Sequence, residues 1–395
     1  MEVKDEVKKI AFEIKEDLIE IRRYLHKHPE LSFKEINTSS FIKASLDKIA
    51  VPWVSITDTG VLATIKGYAS AGKVIALRAD IDALPIQEET GLEFQSIHPG
   101  VMHACGHDIH TASLLGVAHI LQRLRDQFKG TVQLIFQPAE EILPGGARQI
   151  IDETGIFHQK KVHAILGQHV RPSIECGKIA ISGGTIMASM DEIRITVKGK
   201  GGHGAQPHEN RDPVVAASML IVALQQVISR YVDPRVPSVL SFGKIVANGA
   251  INIVPDFVYI EGTFRTLDEN WREGALRVIR EMASSVTHGL GCTCEVDIRR
   301  GYPSLHNHED FTGKIISYMA EYVGRENIIE SDVWMASDDF AYYSLHSEAC
   351  YYMLGAGCKE KQSGCLHTST LHLAEDCIEL GAGLMAYLTL KSLAE

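Results

Sequence analysis

Four short apolar runs, Val74–Leu77, Val132–Phe136, Val162–Leu166 and Tyr351–Leu354, constrain this chain more than any other feature. Each is too short for a buried helix and lacks the polar alternation of a half-exposed strand, so each reads as a strand covered on both faces. Helical patterns lie between them. From Thr111 to Leu124, residues Leu114, Val117, Ala118, Leu121 and Leu124 fall on one face. Strand alternating with helix predicts an α/β fold with a mainly parallel sheet. Ligands in such folds gather beyond the carboxyl ends of the strands, so the residues after each run are the first candidates for chemistry. They are Arg78-Ala79-Asp80-Ile81-Asp82, Gln137-Pro138-Ala139-Glu140-Glu141, Gly167-Gln168-His169 and, one loop after the last run, Leu366-His367.

The rhythm changes between about Gly183 and Arg299. There we read a strand (192–198), a helix (213–229), two strands (238–246 and 257–267), a helix (270–288) and a strand (293–299). That βαββαβ order is ferredoxin-like. It predicts an inserted domain over 183–299, with 1–182 and 300–395 together forming the α/β domain. A length of 395 residues with 45% hydrophobic content supplies two cores.

A formal net charge of −11 argues against nucleic acid and anionic membrane as partners and points to a small molecule. No stretch reads as a transmembrane run. The N-terminal thirty residues are charged throughout, with Val7, Ile10, Ile14, Leu18, Ile21 and Leu25 at helical spacing, which predicts a surface helix and a cytoplasmic protein. Eight cysteines without a signal peptide do not resemble a disulfide framework. Cys292 and Cys294 lack zinc-knuckle spacing, and Cys358 and Cys365 bracket a polar loop that reads as a plain connection rather than a redox pair.

Three tempting motifs fail. Gly67 to Lys73 nearly fits a phosphate-binding loop, but Val74 stands where the magnesium-holding hydroxyl should be, and a strand follows instead of a helix. Gly199 to Gly204 satisfies the dinucleotide glycine pattern, yet Gln206-Pro207-His208-Glu209 follows where the helix should begin; the glycines are better read as a tight turn from which His203 projects. No GxSxG is present for a serine hydrolase.

The stretch Met102–His110, MHACGHDIH, is richer. Cys105 and His107 are two apart, so on an extended loop their side chains converge, while Asp108 is placed to cap the following helix. Taken alone, the stretch equally fits a packed cysteine beside a capping aspartate, or a thiol nucleophile whose base comes from distant sequence. The other strand ends shift that balance. Glu140 and Glu141, His169 and His367 each read alone as solvated acids or satisfied histidines, but all meet at the mouth of one expected sheet, and together with Cys105 and His107 they predict a metal site.

Cys105, His107, Glu141, His169 and His367 make five donors, one more than a closed tetrahedral zinc site uses. Five donors suit two ions sharing a bridging thiolate: Cys105, His107 and His169 on one, Cys105, Glu141 and His367 on the other. Dications roughly 3.5 to 4 Å apart pull the pKa of water toward about 7. Glu140 is then the general base, taking the proton of the metal-bound water and passing it to the leaving nitrogen. Asp80 is expected either to orient a ligand imidazole or to cap its strand end. His103 and His110 remain unassigned.

At this point whole stretches are recognisable: ELSFKE after RRYLHKHPE, ALRADIDALP, MHACGHDIH, IFQPAEE, GGHGAQPH, GTFRT, DDFAYY and LHTSTLHL, in that order. From about residue 15 to the C-terminus the chain resembles the two-metal amidohydrolases related to aminoacylase and carboxypeptidase, and most closely the N-acyl-amino-acid and auxin-conjugate hydrolases, whose cysteine-containing segment it shares. The resemblance implies the same five ligands and base, two divalent ions (zinc or manganese), and hydrolysis of an N-acyl amino acid to a carboxylate and a free amino acid. It also implies that the inserted domain serves as lid and homodimer interface, with His203 reaching into the partner's active site to stabilise the oxyanion, and with Asn252 and Arg265 holding a substrate carboxylate. Two departures bear on substrate identity: Thr368-Ser369-Thr370-Leu371 stands where the family tends to have a proline and an aromatic residue, and Asp338 where glutamate is usual. The rival readings are a dipeptidase or carboxypeptidase, a deacetylase of the N-acetyl-diaminopimelate type, a non-catalytic metal-dependent binding protein, and a cysteine hydrolase built on Cys105. Glu140 beside Glu141 speaks against the binding protein, which needs no spare base.

Overall fold

The four apolar runs lie in neighbouring strands of one eight-stranded sheet. The structure, a computed structural model, describes residues 2–159, 162–358 and 364–394. Across the sheet the strands are Trp53–Ile56, Gly60–Lys66, Lys129–Gln137, Ala69–Asp80, Ala164–Glu175, Glu348–Gly357, Ile179–Ile181 and Ile328–Glu330. The central four pair in parallel, so their carboxyl ends lie along one edge of the sheet. The antiparallel pairs lie outside them. Val162 and His163 stay outside the sheet, whose strand begins at Ala164.

The chain divides into two compact units: Met1–Ile186 with His306–Asp332 and Asp338–Glu395, and Met187–Leu305 with Val333–Ser337. The second thus begins and ends a few residues later than expected and takes in a short later segment. Its four-stranded antiparallel sheet has the order Ser238–Val246, Phe257–Thr266, Ser189–Lys198, Thr293–Arg300, which is the ferredoxin-like arrangement. Period-two alternation sorts its faces: Ile193, Ile195 and Val197 join the core with Leu220, Leu224, Leu276 and Ile279 of the helices Pro213–Gln226 and Glu269–Gly289, while Glu192, Arg194 and Thr196 stay outside it.

In the first unit, the helices Val3–Glu13 and Lys15–Lys27 replace the single N-terminal helix expected, because the backbone leaves helical geometry at Ile14. Val7, Ile10, Ile14, Leu18 and Leu25 are buried as their spacing requires. Two helices, Pro213–Tyr231 and Cys377–Ala394, are long and apolar enough to cross a membrane by length and composition, which the sequence reading did not register. Cys377–Ala394 is mostly buried within its unit, whereas Pro213–Tyr231 is largely exposed. All eight cysteines are free; residues 359–363, most of the loop between Cys358 and Cys365, lie outside the described residues.

The helix His107–Arg123 fixes the depth at which the candidate site sits. It starts four residues before the periodic pattern suggested, and it packs against Lys15–Lys27 and Cys377–Ala394. Gly116 permits that approach, since a Cβ there would lie 2.7 Å from Leu18 and 2.8 Å from Ala382. Gly116→Val should therefore destabilise the protein by about 1–3 kcal/mol through overpacking. Denaturant unfolding checks this, and an unchanged midpoint contradicts the packing described.

Candidate metal centre

The chain turns at Gly106 to bring Cys105 and His107 together. Gly106 has φ 84, and a Cβ there would lie 2.4 Å from Val170, so both conformation and space demand glycine. His107 opens the helix; its Nδ1 is 2.9 Å from the Asp82 carbonyl and 3.2 Å from Asp82 Oδ1. That leaves Nε2 facing the other donors. His169 is on the strand Ala164–Glu175, with Nδ1 donating to the Val170 carbonyl at 2.7 Å and Nε2 3.4 Å from Cys105 Sγ. Glu140 and Glu141 follow the strand Lys129–Gln137, and the Glu141 N–H donates to Asp82 Oδ2 at 3.1 Å. His367 Nε2 is 3.3 Å from both Cys105 Sγ and Glu141 Oε1. The two loops nearest these groups hold non-glycine residues in left-handed conformations, Ala139 at φ 52 and His367 at φ 63, a kind of local strain that gathers at functional sites.

The donors form two triads, Cys105–His107–His169 and Cys105–Glu141–His367, each with its ligand atoms within 4.8 Å of one another. These are the two groups expected from the donor count, sharing the thiol. Their chemistry fits a cation: His107 Nε2 and Glu141 Oε1 are buried without a hydrogen bond, 4.0 Å apart. Donors buried in this way are normally satisfied, so their convergence needs a third party. Glu140 forms a further cluster with Asp338 and Asp339, all three buried, and another with His107 and Glu141.

The electrostatics are dominated by anions. Burial and the nearby Glu141, Glu140 and Asp80 push the Cys105 thiol well above its usual range. Burial alone would lower His107, but Asp80, Asp82 and Glu141 outweigh it and push its pKa up to about 10. Burial, with Asp338, Glu141 and Asp339, raises the Glu140 carboxyl well above normal. Burial holds His169 well below its usual value, which keeps its Nε2 bare. A dication among these groups reverses the first two shifts, because a coordinating thiol is deprotonated and a ligating imidazole is neutral.

Two sequence expectations need correction. Asp80 was expected to orient a ligand imidazole or to cap its strand end. Its carboxylate instead accepts from Arg78 Nη1 at 2.6 Å and from His110 Nδ1 at 2.6 Å, and comes no nearer than 3.6 Å to His107 Nε2; Asp82 holds the Nδ1 side of His107. Asp108 makes no capping bond. It accepts from Arg22 Nε and His26 Nδ1, both at 2.8 Å, and so ties the helix Lys15–Lys27 to His107–Arg123. Arg78, a strand-end candidate to which the sequence assigned no role, reaches Gln137, Asp80, Asp338 and Asp339 with its guanidinium. Asp82 was within reach of sequence reasoning, being the second carboxylate of the Asp80-Ile81-Asp82 strand end. His103 is buried with neither ring nitrogen hydrogen-bonded, and burial lowers its pKa to about 4.

His203, Asn252 and Arg265 belong to the second unit. His203 is exposed on a two-residue strand, Gly202–His203, paired with Ile253–Val254, which places it beside Asn252. Its Nδ1 accepts from the Ala205 N–H at 3.0 Å. Arg265, half-buried on the strand Phe257–Thr266, donates from Nη1 to the Met335 carbonyl at 3.1 Å.

The sequence model of peptidase family M20/M25/M40 matches residues 76–391. The chain belongs to that family. Over 308 residues, 78% of this chain and 82% of the relative, it is 42% identical to an N-acyl-L-amino acid amidohydrolase of Geobacillus stearothermophilus. Over 399 residues, 99% of each chain, it is 37% identical to thermostable carboxypeptidase 1 of Saccharolobus solfataricus. The crystal structure of a dinuclear metal-binding M20 peptidase from Bacillus subtilis matches with a TM-score of 0.83 at 34% identity, covering 96% of this chain and 99% of that one. This M20 protein is therefore a metal-binding hydrolase acting on C–N bonds.

If Cys105 and His107 take up an ion, protons should be released, since a thiolate and a neutral imidazole are the binding forms. Titration calorimetry with zinc or manganese in buffers of different ionisation enthalpy measures the release, and affinity should weaken as pH falls. Uptake without proton release rules out the thiol and the imidazole as ligands.

Proposed function

We propose that this M20 hydrolase cleaves the amide bond of N-acyl amino acids, giving a carboxylate and a free amino acid, at a centre holding two divalent ions. The observation that carries the reading is the pair of donor triads sharing Cys105, with Glu140 alongside. Cys105, His107 and His169 would hold one ion; Cys105, Glu141 and His367 the other. Sulfur and imidazole favour zinc, while the carboxylate suits manganese as well. The ions would supply Lewis acidity toward the scissile carbonyl and toward water.

The chain's own groups do the rest. Glu140 takes a proton from water as the oxygen adds to the carbonyl carbon, and returns it to the nitrogen as the C–N bond breaks. Burial and the nearby Asp338, Glu141 and Asp339 raise its affinity for a proton, which strengthens it as a base once the cations' charge has left it ionised. His203 supports the oxyanion: because Nδ1 accepts a backbone N–H, the ring proton sits on Nε2, ready to donate. Asn252 and Arg265 hold the substrate carboxylate.

We further assign a cytoplasmic homodimer in which His203 serves the partner's centre. An apolar face of the second unit supports a second copy as its occupant: Met219 is 55% and Val222 69% exposed on the helix, and Ile245 57% exposed on the edge strand Ser238–Val246. Eight free cysteines suit a reducing compartment. A peptidase reading of the same centre is favoured by the full-length likeness to a carboxypeptidase.

A panel of N-acetyl and longer N-acyl amino acids against dipeptides and N-blocked peptides, each with zinc- and manganese-loaded protein, separates these readings; turnover of peptides alone would replace the first by the second. Glu140→Gln should retain both ions yet lower kcat about 10²–10⁴-fold. Unimpaired turnover removes Glu140 from the mechanism. The double variant Met219→Glu, Val222→Glu should sediment as a monomer, and mixing inactive Glu140→Gln with inactive His203→Ala protein should restore activity. No restoration on mixing means that His203 does not serve the partner.

A further inference from the structure

His110, one helical turn after His107, is fully buried beside the two imidazoles assigned to one ion. Its ring stacks on His107 at 5.4 Å between centroids and 29°, and meets His169 edge-on at 4.7 Å and 68°. Its donors lie within 4.8 Å of those of Asp80 and His107, which invites a reading as a third metal triad. The hydrogen bonds exclude that. Nε2 accepts the Val170 N–H at 2.9 Å, and a backbone amide can only donate, so this nitrogen's lone pair is taken. The ring proton is therefore on Nδ1, where it is donated to Asp80 Oδ1 at 2.6 Å.

Both ends of this link are anchored. Asp80 is the last residue of its strand, and its other oxygen is held by Arg78 at 2.6 Å. The strand Ala164–Glu175 pairs with Ala69–Asp80 only from Ile75↔Ala164 to Arg78↔Gly167. Beyond the last of those pairs, the Val170 N–H goes to His110, while the Val170 carbonyl takes the Nδ1 proton of His169. The Asp80–His110 pair thus continues the sheet's grip past the strand end, onto the peptide that sets the His169 ring.

We propose that His110 is a positioning residue: wedged between His107 and His169 and fixed by Asp80, it holds the Val170 peptide so that His169 Nε2 meets the ion shared with Cys105. This rests on the two-ion reading of the centre. Outer partners of ligand histidines typically change metal affinity or activity about 10–100-fold when lost.

Three variants of the full-length protein test it. His110→Asn keeps a donor toward Asp80 and loses the acceptor for Val170; His110→Gln places a carbonyl where Nε2 was. By competition with a chromophoric chelator, His110→Asn should bind one of two zinc equivalents about 10–100-fold more weakly, with kcat recovering in excess zinc. His110→Gln, which keeps an acceptor for the Val170 N–H but gives up the bond to Asp80, should fall between the unsubstituted protein and His110→Asn in zinc affinity. A purely space-filling role predicts equal thermal destabilisation of both variants with zinc affinity unmoved, and either that result or equal loss of affinity in both would overturn the proposal. His169→Ala separates the two levels: if it keeps both zinc equivalents, the ligand assignment fails, whereas loss of one equivalent there with none in His110→Asn refutes the positioning role alone.

Discussion

The buried guanidinium of Arg78 is the interaction on which the centre depends. A buried ion carries a desolvation cost of several kcal/mol that only close, well-aligned partners offset. Arg78 donates to Gln137 from Nε, to Asp80 from Nη1, and to Asp338 and Asp339 from Nη2, at 2.6 to 3.1 Å. Those partners come from the strand Ala69–Asp80 itself, its neighbour Lys129–Gln137, and the segment after Ser337, so one planar cation pins several chain segments at the sheet's carboxyl edge. A lysine, with a point charge in place of a fork, could not span the same partners. The pinned carboxylates then act outward: Asp80 on His110, Asp338 and Asp339 on the Glu140 pocket. Asp339 shows the strain of that crowding, since burial first and then Asp338, against the pull of Arg78, push its pKa up to about 7.

One arginine does not balance the anions. Asp80, Asp338 and Asp339 surround it, Asp80, Asp82 and Glu141 surround His107, and Glu140 and Cys105 lie beside them. A protein-only account of this cluster leaves protons trapped on Cys105 and Glu140 and a positive charge trapped on His107. Cations of charge two resolve it more completely than protons do, because they also take the lone pairs of His107 Nε2 and Glu141 Oε1 that have no hydrogen bond.

The α/β class and the five converging donors were legible in the sequence because apolar runs mark parallel strands and functional groups collect where those strands end, and the ferredoxin-like unit because its βαββαβ order shows in the change of period. What escaped depends on side chains turning within a folded site. Asp80 and Asp82 are equivalent in the sequence, and only the way the strand ends decides that Asp82 reaches His107 while Asp80 reaches His110. Asp108 looks like a helix cap by position, but two buried partners from the N-terminal helix claim its carboxylate, and nothing local to MHACGHDIH announces Arg22 or His26. The left-handed backbone at Ala139 is equally silent, since alanine does not advertise a positive φ.

The two departures from the family pattern take on different meanings in three dimensions. Asp338, where glutamate is usual, accepts from Arg78 Nη2 and the Phe340 N–H on Oδ1 and from the Tyr351 hydroxyl on Oδ2 at 2.5 Å. With both oxygens engaged, one of them by Arg78, it acts on Glu140 through its charge. The hydroxylated stretch after His367 works by another route. Ser369 Oγ donates to Glu89 Oε2 at 2.7 Å, its carbonyl takes the Glu89 N–H at 2.8 Å, and the Thr368 hydroxyl donates to the Cys365 carbonyl at 2.6 Å. These bonds fix the segment after His367, whose own N–H donates to the Ala104 carbonyl at 2.8 Å while its Nε2 lies 3.3 Å from both Cys105 Sγ and Glu141 Oε1. Glu89 thus ties a loop distant in sequence to the residues just after His367, on the side of the second triad.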